Sequence, residues 1–438
     1  MRLVPGGWLS WLWRGALGVV AAMVVLVTSA PALPGTESLT AVPATGAHTI
    51  GGGSAPVGLG RSVAPLGGDR VLDSGTVAAV EGLLAARSAA VANGDTGAMD
   101  RLVDPSAPED FRRRQRLLVD GWATLPAGTY EEELARPALD LAPPSVVAGA
   151  PPGARVIVVE VVRRQRFVDY DPTDNVTSTY LTLVDRTGGG GWTVLGDEAL
   201  RAVGVVGERY LWELFGVRSV ATDRVLVIGT SGGAELRRLA SEVERAIVRF
   251  DAVWGRPWWG RVVVLNPGDV TELEALLDPT VDVSKFVAFT TLRVDRTEGW
   301  EVTAPRLVIQ RERFGRRSAD SRVRVLVHEM AHVATVADSG PMTPLWVHEG
   351  LASWVEAGRP VDDGGDFGGF PGSHEFRTGS RDRIAAVYAE ARDDMATLAG
   401  TAGPDAPIEF FDRLGAVRIA AGTPDHHVGR IVDELLGS

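Results

Sequence analysis

Between residues 72 and 125 the apolar positions recur at helical spacing, and from 130 to 196 they fall at every second position. Val77, Val80, Leu83 and Leu84, with Arg87 on the same stripe, predict a helix ending near Asn93-Gly94. Shorter helices follow over 98–103 and 111–125, the latter opened by Pro108 and acidic residues that suit a first turn. Alternation then predicts strands over 130–141, 155–170, 175–185 and 191–196, with turn residues at 171–174 and 188–190.

The second half changes pattern. A helical connector is expected over 199–215. A β-branched run at 225–229 predicts a strand, and Leu236, Leu239, Val243, Ile247 and Phe250 mark one face of a long helix over 234–253. Strands at 261–265, 286–292 and 306–310, a short helix at 270–277 and a helix at 384–398 complete the pattern. The expectation is an α+β chain with two folded domains, 72–200 and 201–438.

The ends and the charge narrow the function. Residues 15–30 are apolar after Arg2 and Arg14, and Ala30-Pro-Ala32 offers small residues for cleavage, so 1–32 is expected to be a signal peptide or an uncleaved membrane anchor. Either places the remainder outside the cytoplasm, secreted or anchored. Residues 33–71, rich in Gly, Pro, Ala, Ser and Thr, are expected to be a flexible linker. The formal net charge is −12, which argues against a nucleic-acid partner and against docking on anionic lipid; any membrane link is the N-terminal segment. With no cysteine, there is no disulfide and no thiolate metal site.

The chemistry lies in Val325-Leu-Val-His-Glu-Met-Ala-His-Val333. His328 and His332 are four residues apart, so on a helix both imidazoles project from one face and reach one metal ion. Glu329 beside them is placed to act as general base toward a water activated by that metal. A buried helix carrying two His and a Glu needs such a reason, since unpaired polar groups inside are costly. A catalytic zinc takes three protein ligands and leaves one position open. Gly340, Pro341 and Pro344 turn the chain into a second helix bearing His348 and Glu349. Neighbours on a helix diverge by about 100°, so normally one of the two faces the metal. Glu349 is the favoured ligand, with His348 packed beside the site.

His328-Glu-x-x-His332 followed by Trp346-x-x-Glu349-Gly350-x-Ala352 resembles the gluzincin metallopeptidases of the peptidase MA-like group. The resemblance implies a zinc metallopeptidase holding one Zn2+ per chain through His328, His332 and Glu349. Glu329 would be the base, and a peptide or protein the substrate. It also implies an edge strand that pairs with extended substrate, for which 306–310 and 286–291 are the candidates. The donor that steadies the transition state would come from the later helical part, where Tyr388, His374 and His426 qualify. One departure stands out: members of the thermolysin type carry an Asp four residues after the ligand Glu, and here that position is Ser353. The region before it resembles an NTF2-like cone, in pattern alone. Because of Ser353 and the unassigned donor, the sequence also admits a catalytically weak, zinc-retaining scaffold of the cell envelope.

Overall fold

The computed structural model of this 438-residue chain describes residues 23–27, 72–138, 146, 151–205, 207–277, 286–295, 301–340, 343–364, 371–372, 375–376, 380–417, 428, 430–432 and 434–435. It is a mixed α+β structure with two sheets. Within the apolar N-terminal segment, strand β1 (Met23–Val27) pairs antiparallel with Ala288–Leu292. The expected linker lies outside the described residues.

The first region begins with α1 (Ser74–Ala92), α2 (Thr96–Leu102) and α3 (Glu109–Trp122). Asp73 and Asp95 cap the first two by accepting N–H bonds from Thr76 and Ala98. The helices pack on an antiparallel sheet of β2 (Ala127–Pro137), β3 (Arg155–Phe167), β4 (Asn175–Asp185) and β5 (Trp192–Gly196), in that order. Arg87 stays on the buried face of α1 because it is paired: it donates to Glu132 at 2.7 Å and to Gln115 at 2.8 Å, and Tyr130 donates to the same carboxylate at 3.0 Å. By length and hydropathy alone, α1 is the one described helix that would cross a membrane; here it packs Val80, Leu83 and Leu84 into a core.

The connector departs from expectation. Among the described residues of 199–215 there is a 3-10 turn at Arg201–Val203 and a single helical turn at Leu211–Leu214. Gly204, at φ 79°, reverses the chain after the first turn, and Gly207 lies so close to Thr179 that a Cβ there would sit 2.6 Å from its hydroxyl. A continuous helix would satisfy neither.

The second sheet runs β1-β9-β10-β8-β7-β6, with β6 (Arg218–Ala221), β7 (Val225–Gly229), β8 (Val262–Asn266), β9 (Ala288–Asp295) and β10 (Glu301–Ile309). Strand β7 crosses through α4 (Gly233–Trp254) to the parallel β8, with α5 (Val270–Leu276) following. Strand β10 is parallel to β8, while β9 runs antiparallel to β10. Of the two stretches expected to offer an edge, 306–310 is interior; 286–291, which overlaps β9, lies next to the edge, the outer side of β9 facing β1. After a short helical turn at Arg311–Gly315, the layer holds α6 (Ala319–Thr335), capped by Ser318, α7 (Leu345–Glu356), α8 (Arg381–Ala402) and α9 (Ala406–Gly415). The two regions share apolar packing, with Trp122, Phe167 and Trp212 against Leu226, Ile228 and Val263.

Candidate metal centre

Helix α6 is buried from Val325 to Val333, which places His328, Glu329 and His332 out of water. Helix α7 crosses it and presents Glu349 to the same point. A close approach to α8 positions α7: a Cβ on Gly350 would lie 2.6 Å from the carbonyl oxygen of Ala391, so only glycine fits.

His328, His332 and Glu349 form a buried group that could hold a metal ion, their donor atoms all lying within 4.8 Å of one another. His328 Nε2 is 3.3 Å from Glu349 Oε2, and His332 Nε2 is 3.8 Å from it. Tetrahedral ligands about 2.0–2.1 Å from a zinc ion sit roughly 3.4 Å apart, so the first separation matches that spacing and the second is slightly wider. Two further atoms support the fit: His332 Nε2 and Glu329 Oε1 are buried without a hydrogen-bond partner, a costly state that a metal and its water would relieve. Two imidazole nitrogens and a carboxylate are a donor set that suits zinc.

The electrostatics follow from burial and neighbours. Burial disfavours charge on His328, but the hydrogen bonds and charges of Glu349 and Glu356 outweigh it and raise its pKa to about 10. Burial, with His328 and His348 nearby, drives His332 well below the usual histidine range, leaving it neutral as a ligand must be. Burial also raises Glu329 to about 8, against the charge of His328 and the bond from Thr290. The Thr290 hydroxyl of β9 donates to Glu329 Oε2 at 2.8 Å.

His348 takes no part in this cluster. Its Nε2 is 3.4 Å from the Ser339 hydroxyl, its ring meets Phe411 edge-on at 5.0 Å, and burial depresses it to about 4. Among the described residues, no hydrogen bond joins Ser353 to either ligand histidine. Glu356 does that work: its Oε2 lies 3.3 Å from His328 Nδ1. Glu356 is two helical turns beyond Glu349 and so shares its face, a spacing visible in the sequence once Ser353 is set aside. Tyr388 on α8 sits beside the cluster, its ring 6.2 Å from that of His328 and 5.1 Å from that of Phe376. His374 and His426 lie outside the described residues. Compared with known proteins, the chain matches no family model, no curated protein and no solved structure.

Proposed function

We propose that the chain is an extracytoplasmic zinc metallopeptidase of the gluzincin kind, its first region an NTF2-like cone and its second the peptidase. The observation that carries this is the convergence of His328, His332 and Glu349 with an unsaturated Glu329 carboxylate beside them. A structural zinc site usually fills four positions with protein ligands and has no use for that carboxylate. A zinc ion held there would acidify a bound water and polarise a carbonyl oxygen. Glu329 would accept the water's proton through Oε1 while Thr290 fixes Oε2, then pass it to the leaving amine. Glu356 would hold His328 in the tautomer that presents Nε2 to the ion. Ser353 was one reason to favour a weak scaffold, and Glu356 supplies the carboxylate that Ser353 lacks. Export rests on the apolar segment at 15–30.

The test is metal content and turnover of a mixed peptide library by the full chain and its Glu329→Gln variant. One zinc per chain and cleavage lost in the variant are expected. Equal, negligible turnover in both, with zinc present, favours the scaffold. Absence of zinc from protein never exposed to chelator overturns the proposal.

A further inference from the structure

Arg306 lies on the interior strand β10, yet its guanidinium reaches out of the sheet into the first region. It donates two bonds to Asp171, at 2.5 and 2.9 Å, and lies 5.1 Å from the Phe167 ring. Asp171 sits in the turn between β3 and β4, and its Oδ2 also accepts the Phe167 N–H at 2.9 Å. Both partners of the pair are buried. The chain just before Arg306 is irregular. Ala304 is buried at φ 41°, Pro305 follows, and the β9–β10 register shifts between Thr303 and Arg306. A non-glycine residue in the left-handed region persists only where its surroundings over-determine it, and such strain clusters at functional sites.

The bend leads to the metal centre. Thr291 on β9 pairs with Arg306, and its hydroxyl donates to the Arg306 carbonyl at 3.3 Å. Thr290, the next residue back, faces the other way and donates to Glu329. A buried ion pair adds little net stability over an apolar pair of equal volume, so stability alone does not account for it. What it adds is direction, because two parallel bonds fix the plane and position of the guanidinium.

We infer that Asp171 and Arg306 are positioning residues: a brace by which the first region sets β9, and with it Thr290, over Glu329. This rests on the proposed role of Glu329 for its consequence, though not for its detection. The test is amide hydrogen exchange on the full chain carrying Asp171→Leu with Arg306→Met, which removes the pair without stranding a charge. Exchange at the Thr290 and Thr291 amides is expected to rise about tenfold or more, with β7 and β8 staying protected. Unchanged protection at β9, or a uniform loss across both sheets, overturns the inference. Should the double variant not fold, Asp171→Asn is read by the same contrast. In an active preparation kcat falls about tenfold or more at a metal content of one per chain, as expected when a reacting group is misplaced. If the wild-type chain turns over no peptide while β9 still loosens, the peptidase proposal fails and the brace stands.

Discussion

Replacing Glu356 probes how the metal centre is held. Without metal, His328 lies between Glu349 and Glu356 and keeps its proton up to about pH 10. Metal binding has to displace that proton. At pH 7 the competition weakens binding about 1000-fold, or about 4 kcal/mol at 1.36 kcal/mol per pKa unit. Affinity should therefore rise about tenfold per pH unit from 7 towards 10 and then level off. The same raised pKa stabilises the metal-free fold fully below pH 6.5, and that contribution is lost as pH passes through about 10. Glu356→Gln acts in two opposed ways. It removes the carboxylate that orients His328, which costs about 10–100-fold in metal affinity. It also removes one of two anions that retain the His328 proton, which eases the competition. The second effect operates only where His328 is protonated, so the loss should be largest near pH 9–10 and shrink towards pH 6. Competition titrations against a chromophoric zinc chelator from pH 6 to 10 read both quantities. An affinity that is flat with pH, or untouched by the substitution, would refute this account of the site.

Two further substitutions test the supports of the site. Gly350→Ala puts a Cβ 2.6 Å from the Ala391 carbonyl oxygen, which is backbone and cannot swing aside. It should cost about 1–3 kcal/mol and lower metal occupancy by pushing Glu349 away; a wild-type melting temperature would contradict it. Thr290→Val keeps the shape but removes a bond that holds Glu329 below the value burial alone would give. The acid limb of the activity profile, where Glu329 must lose its proton to act as base, should move to higher pH, and an unmoved limb would show that Thr290 does not tune the base.

Much of this was legible in the sequence because the signals were local. Helix α6 and the shared face of His328 and His332 follow from spacing alone. That one of His348 and Glu349 faces the site, and not both, needed only the angle between helical neighbours and a turn to bring α7 back; the angle by itself left the choice between them open. Gly204 and Gly207 were signals against a long connector helix, outweighed in the pattern by the apolar residues around them. Other features depend on contacts distant in sequence. Alternation places Thr290 on an inward face but not against Glu329. The interior place of β10 depends on pairing with strands about 10 and 40 residues away, which hydrophobic pattern does not encode. Arg87 and Arg306 look like interruptions of apolar stripes until Glu132 and Asp171 are seen to meet them.

The packing shared by the two regions carries a cost in time. Trp122, Phe167 and Trp212 complete their surroundings only with Leu226, Ile228 and Val263. A ribosome adding about 5–20 residues per second reaches Val263 roughly 3–10 s after Trp212. For those seconds the nascent first region shows water an aromatic face that the finished protein never exposes. Any carrier that keeps the growing chain soluble has that face to hold, and any attempt to make residues 72–200 alone would leave Trp122 and Phe167 without Trp212 as well as without the second sheet.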